Sequence, residues 1–180
     1  MLDRLLLMAH ASSEGAREGF RDVRIDEVLW QAREEVIRHE TGYSVTIALD
    51  ENISDIENLT IRGDEQLLMS AVTNIMENGC KYSPDRFVRV FLTHDAENIS
   101  VSFTDNGPGI AEDEIERIFE SFYRSKSTAS VRGHGIGLSL AKKIIDIHSG
   151  TINVNSRQGE GTTITLSFPA DHLNTGSMRN

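Results

Sequence analysis

One cysteine, one tryptophan and three prolines stand in 180 residues, and no apolar run approaches the length of a membrane span. A single thiol, Cys80, cannot close an internal disulfide; it reads as a small packed hydrophobe and fits a reducing compartment. The most apolar stretch, Leu5 to Ala9, falls far short of the ~20 residues that cross a bilayer, and nothing resembles a secretion signal, which predicts a soluble chain. Basic residues are also in deficit, 18 Lys and Arg against 28 Asp and Glu. The formal charge of -10 opposes adsorption to phosphate backbones and argues against a nucleic-acid partner. It leaves room for a local cationic pocket around Lys81, Arg124, Lys126 and Arg132. His10, His39, His94, His134, His148 and His172 show no close ligand spacing, and without cysteine partners they predict no structural zinc.

What is there suits one folded domain with a short appendage: 38% hydrophobic and 26% charged residues lie in the globular range. Leu2, Leu5, Leu6 and Ala9 recur at helical spacing and then give way to Ser12, Ser13 and Gly15, as at a helix end. An amphipathic helix is predicted from Ile25, with Asp26 as N-cap and a stop near Gly42. Strands follow at Val45 to Leu49 and around Leu59 to Ile61, then a helix from Glu65 to Lys81 that ends before Ser83-Pro84-Asp85. Val88 to Leu92 and Ile99 to Phe103 form a hairpin pattern. A short helix is expected around Glu112 to Phe119 and a loop over Ser121 to His134. The last helix carries Leu138, Ala141, Ile144, Ile145 and His148 and is capped by Gly150, and a final hairpin sets Ile152 and Val154 against Ile164, Leu166 and Phe168. Strands and helices segregate, which predicts an α+β two-layer sandwich with a mixed, mostly antiparallel sheet covered by three main helices.

Three polar groupings could carry chemistry. Asn74, Asn78 and Lys81 share one helix face; such a stripe is either solvated or a set of oxygen donors for Mg²⁺ beside a phosphate-facing ammonium. Asp105-Asn106-Gly107-Pro108-Gly109 follows a strand and reads equally as a turn or as a carboxylate that accepts from an exocyclic amine, with glycines allowing close approach. Gly133-His134-Gly135-Ile136-Gly137 opens a helix, where backbone amides can cradle an anion. It lacks the preceding strand and the later acidic residue of a dinucleotide fold, so a Rossmann reading is rejected.

In this order and spacing, the segments resemble the Bergerat-type ATPase domain of the sensor histidine kinases of two-component systems, over roughly Ile25 to Pro169. Asn74 to Pro84 resembles that family's asparagine box, Asp105 to Ile110 its first glycine box, Ile118 to Arg124 its phenylalanine box and Gly133 to Leu138 its second glycine box. The resemblance implies ATP and Mg²⁺ as cofactors, with Asn78 holding the metal and Asn74 assisting. Lys81 and Arg124 would face phosphate oxygens, Tyr82 would stack near adenine, and Asp105 would accept from its amino group. Gly107, Gly109 and Ile110 would line the base pocket and Thr162 would join through water. Phe119 and Phe122 would anchor a lid over 121–134, while Arg132, Gly133, His134, Gly135, Ile136, Gly137 and Leu138 would surround the phosphates. His134 stands where the family usually has Thr or Ser.

The resemblance also implies a protein-histidine kinase whose acceptor lies elsewhere. No His is followed by an acidic residue and Arg-Thr-Pro; His39-Glu40-Thr41 matches only the first two positions, and His10 lies near the end of what resembles the second dimerisation helix. The expected organisation is then a helix remnant over 1–14, a linker over 15–24, the catalytic domain over 25–169 and a polar tail over 170–180. Expected partners are the dimerisation and phosphoacceptor domain of the same kinase, a response regulator, and a second copy in a homodimeric full-length protein. That implies a cytoplasmic domain, in a larger protein that can be anchored in the inner membrane. The hydrolases of this fold place a glutamate four residues before the metal asparagine, where Asn74 stands and cannot take a proton from water. Glu77 lies about 60° away around the helix. A non-catalytic nucleotide sensor is the third alternative.

Overall fold

The computed structural model describes residues 2–11, 15, 17–53, 59–125 and 133–170. The chain runs α1 (Leu2–Ala11), β1 (Arg21–Arg24), α2 (Ile25–His39), β2 (Ser44–Leu49), β3 (Thr60–Gly63), α3 (Glu65–Tyr82), β4 (Phe87–His94), β5 (Asn98–Asp105), α4 (Gly137–Ile147), β6 (Thr151–Arg157) and β7 (Gly161–Pro169). Single 3₁₀ turns at Glu112–Glu114 and Arg117–Phe119 replace the short helix expected there.

Five strands form one sheet in the order β2-β4-β5-β7-β6, antiparallel throughout except for the parallel pair β2 and β4. Alternation fixes which face is covered: Val88, Val90 and Leu92 of β4, Ile99, Val101 and Phe103 of β5, and Ile164, Leu166 and Phe168 of β7 are all buried. Against them pack α2, α3 and α4, each through an apolar stripe that includes Leu29 and Ala32, Leu68 and Ile75, and Leu140 and Ile144. This is the two-layer arrangement expected. At Gly79 the layers close completely, because a Cβ there would stand 2.1 Å from Val88 Cγ2.

Several details differ from expectation. Residues 21–24, assigned to a linker, form β1 and pair antiparallel with β3 in a separate two-stranded sheet. Asp26 is not the cap of α2: Arg24 occupies that position, and buried Asp26 instead takes the Arg24 guanidinium on both carboxylate oxygens at 2.8 and 2.5 Å. The helix ends at His39, and Gly42 turns the chain with φ +91°. Asp64 caps α3, accepting from the amides of Gln66 and Leu67 at 2.9 and 3.0 Å. At the end of α4 the left-handed residue is Ser149, φ +59°, while Gly150 is needed for space between Ile145, Phe168 and the Ser167 carbonyl. Helix α1 packs on α4, with Ala11 buried and Leu7 and Met8 against the core. Among the described residues no helix is long and apolar enough to cross a membrane.

Candidate nucleotide-binding site

Between the C-terminal half of α3, the loop after β5, the segment before α4 and the start of β7 lies a cavity of about 410 Å³. Its wall includes Asn78, Lys81, Tyr82, Asp105, Gly109, Ile110, Arg124, Gly133, His134, Gly135, Ile136, Gly137, Leu138 and Thr162. Residues from widely separated stretches of sequence thus converge on one concavity, of a size usual for small-molecule sites. Arg132 lies outside the described residues, as do residues 126–132 of the expected lid as a whole.

The loop after β5 is fixed from both sides. Ser83, at the end of α3, donates to Asp85 at 2.5 Å and accepts from the Asn106 amide at 3.2 Å, while the Asn106 side chain donates to Asp85 at 3.0 Å. On the opposite side Gly159 N–H donates to Pro108 O at 2.8 Å, and Gly109, φ +70°, presses so close to Arg157 that a Cβ would stand 2.0 Å from its carbonyl oxygen. Asp105 ends β5 inside this frame. Burial pushes its carboxyl above the ordinary value, opposed by the Gly107 amide, which donates to Oδ1 at 2.7 Å, and by the Thr162 amide.

On the same wall, Lys81 Nζ lies 4.8 Å from the Tyr82 ring centre and 3.5 Å from its hydroxyl, and a Cβ on Gly133 would meet it at 2.6 Å. The ammonium therefore bridges the end of α3 and the glycine-rich approach to α4. Exposed Arg124 and exposed His134 line the same cavity.

Asn74 differs in position from its partners. It does not line the cavity; it is 3% exposed, and its Nδ2 donates to Ser70 O at 2.8 Å. Its Oδ1 is buried without a hydrogen-bond partner among the described residues and would meet a Cβ on Gly137 at 3.1 Å. An orphaned amide oxygen beside Asn78 and the start of α4 is a donor set that suits a hard cation. Gly107 also stands behind the wall, where a Cβ would clash with Asp105 Oδ1 at 2.7 Å.

Phe122 does not anchor by burial. Its ring is 62% exposed and its φ is +69°, and the contact it makes is through the backbone, N–H to Gly135 O at 2.8 Å. Phe119 is half-buried with Lys142 Nζ 5.9 Å from its ring centre, in a turn that packs on α4. Tyr123 lines the cavity instead, held by its hydroxyl on Glu114 at 2.8 Å and by Arg117 at 4.4 Å from its ring centre. Glu40, Tyr43 and Ser125 on the wall, and Ser156 behind it, carry no motif signal in the sequence, whereas Glu77 is marked by its angle on the helix.

The chain belongs to the family of histidine kinase-, DNA gyrase B-, and HSP90-like ATPases, whose profile matches residues 63–172. It is similar to the heme sensor protein HssS of Staphylococcus saprophyticus, 36% identical over 93% of this chain and 35% of HssS. Among solved structures it resembles the mycobacterial sensor histidine kinase MprB, with a TM-score of 0.70 and 29% identity over 83% of this chain and 97% of that one. Full-length ShkA, solved in complex with AMPPNP, matches with a TM-score of 0.73 and 25% identity over 94% of this chain and 35% of ShkA. The chain thus spans about a third of the length of curated relatives such as HssS.

Proposed function

We propose that this chain is the catalytic domain of a sensor histidine kinase, which transfers the γ-phosphoryl group of ATP to a histidine on a dimerisation domain, for relay to a response regulator. The observation that carries the reading is the convergence of Asp105, Asn78, Lys81 and Arg124 on one cavity. Its wall combines a half-buried carboxylate acceptor with two cationic side chains, the chemistry that suits a nucleotide with its base at Asp105 and its phosphates at Lys81. The AMPPNP complex of ShkA and the sensor-kinase name of MprB support it.

In this reading Asp105 accepts from the adenine amino group, and Tyr82 and Ile110 flank the base. Lys81 and Arg124 face phosphate oxygens as positive charges, and the amides of Gly133 to Gly137 surround them at the start of α4. Asn78, backed by the unpaired Asn74 Oδ1, would hold Mg²⁺, which when bound neutralises phosphate charge. The acceptor is a neutral imidazole nitrogen, a common state near pH 7 for a side chain of pKa about 6.5. Positioning and electrostatics then supply the catalysis. The full-length kinase would work as a homodimer, which brings the acceptor helix to this domain.

The test is labelled ATP with the chain alone and then with its separately supplied dimerisation domain, assayed for acid-labile phosphate. Transfer is expected only with the partner and should rise with partner concentration, since no tether supplies effective concentration. Stoichiometric label on the chain alone, or none with a folded partner, would overturn the reading. A second reading, an ATP hydrolase, draws on Glu77, whose half-buried side chain reaches the cavity wall and offers a carboxylate.

A further inference from the structure

Thr162 is a strand partner of two residues at once: of Asp105 across β5 and β7, and of Ser156 across β6 and β7. Directly opposed residues share a sheet face, so the three side chains form one row. Asp105 and Thr162 line the cavity and Ser156 does not.

The hydroxyls in this row have a traceable polarity. Ser156 Oγ accepts from the Ile110 amide at 2.9 Å and donates to the Gly161 carbonyl at 2.9 Å. A hydroxyl carries one proton and the Gly161 carbonyl can only accept, so giving the Ser156 proton to Gly161 lets every contact of this hydroxyl form at once. Ser156 Oγ also lies 2.9 Å from Thr162 Oγ1, a pair in which either oxygen can donate, and with the Ser156 proton on Gly161 the donor is Thr162. With its proton turned back to Ser156, Thr162 presents only lone pairs to the cavity. Beside it the Asp105 carboxylate, already accepting from Gly107, is likewise an acceptor. Gly161 locks the pair together, since with φ +89° a Cβ would stand 2.2 Å from Asp105 O.

We propose that Ser156 is a specificity-determining positioning residue: by holding Thr162 as an acceptor, it makes this end of the cavity select a base bearing an exocyclic amino group over one bearing a carbonyl oxygen. The inference rests on the nucleotide reading above and extends it to a residue that touches no ligand. An amino group has two protons to offer two acceptors, directly or through one water. A carbonyl at the same place would face lone pairs and leave buried groups unpaired, which is how polar sites reject close analogues.

The test compares binding of ATP and inosine triphosphate, which differ at that edge of the base, by calorimetry on the unaltered chain and on Ser156→Ala, Ser156→Thr and Thr162→Val. The unaltered chain should prefer ATP. Ser156→Ala frees the Thr162 proton, so ATP affinity should fall about three- to tenfold while inosine triphosphate binds as well or better. Ser156→Thr keeps the hydroxyl and should keep the preference. Equal loss of both nucleotides in Ser156→Ala would mark a merely structural role and overturn the proposal. Should Ser156→Ala not fold, Thr162→Val decides, because an unchanged preference there also overturns it. Failure of the unaltered chain to bind either nucleotide would bring down the proposed function itself, whereas ATP binding with an unchanged preference brings down this inference alone.

Discussion

His148 Nε2 accepts the backbone N–H of Asp64 at 3.0 Å, joining the end of α4 to the cap of α3. On the other side of the ring Nδ1 lies 2.6 Å from Ile144 O and therefore carries the proton. Phe20 stacks on the ring with centroids 4.5 Å apart, and Gly63 leaves the ring its space. Burial lowers the His148 pKa below its ordinary 6.5, with Arg17 acting the same way and Ile144 O and Asp64 opposing. A lowered value means the unfolded chain binds the proton more readily. The stability from this contact is therefore complete above the ordinary value and is lost as pH falls below it. Denaturant midpoints at about pH 8 and about pH 5.5 should differ for the unaltered chain. His148→Gln should cost about 1–3 kcal/mol at the higher pH and narrow the gap at the lower. Parallel pH curves for both would remove His148 from the acid response.

Contact between the layers at Gly79 and Val88 is tight enough to predict overpacking. Gly79→Ala should destabilise the fold by about 1–3 kcal/mol, since the helix cannot lift from β4 without disturbing Ile75 and Met76. Val88→Ala makes room, so its cost in the Gly79→Ala background should be smaller than in the unaltered chain. Additive costs in a double-mutant cycle would show that the two sites do not share this space.

Local patterns carried most of the architecture. The final hairpin is set by alternation, and its register places Ile152 opposite Leu166 and Val154 opposite Ile164. The strand β1 leaves no pattern in the sequence, because Arg21-Asp22-Val23-Arg24 has one apolar residue and pairs with residues some forty positions away. The parallel partnership of β2 with β4 likewise leaves no turn signal, because α3 and β3 intervene. In the site, residue types at motif spacing marked Asp105, Asn78 and Lys81. Whether a side chain lines the wall or stands behind it depends on helix rotation and packing, so Asn74 and Phe122 were placed differently from expectation. Ser156 was invisible because its role comes from three contacts, none of which is local in a recognisable pattern.

Asp105 sets binding against stability. Its raised pKa means the folded chain holds the proton more readily than the unfolded one. The ionised carboxylate therefore costs the free fold stability at neutral pH, and the cost is relieved as pH falls through the folded value toward 3.8. Asp105→Asn keeps an acceptor for the Gly107 amide and removes the charge. In thermal melts without nucleotide the variant should be at least as stable as the unaltered chain, while ATP affinity should drop by about 1–3 kcal/mol. A full ATP-induced rise in melting temperature for Asp105→Asn would take this carboxylate out of base recognition.

Asn74 and Glu77 separate the kinase from the hydrolase. Restoring the hydrolases' glutamate at position 74 would normally be expected to supply a base, but this position is 3% exposed, stands behind the cavity wall, and faces Gly137 across a 3.1 Å gap to a notional Cβ. A longer, charged side chain there would be buried without a partner. Asn74→Glu should therefore destabilise the fold, by about 3–5 kcal/mol if its charge stays unpaired, with little gain in phosphate release. Glu77 is on the wall, and any slow hydrolysis by the unaltered chain should depend on it, falling at least about tenfold in Glu77→Gln as a general base is lost. Transfer to a supplied dimerisation domain should survive Glu77→Gln, because the imidazole nitrogen that attacks needs no proton removed. Phosphate release assayed beside acid-labile label resolves the two. Loss of both activities together would mean that Glu77 supports the nucleotide site rather than water, and brisk hydrolysis in Asn74→Glu would show that the buried position opens to solvent during turnover.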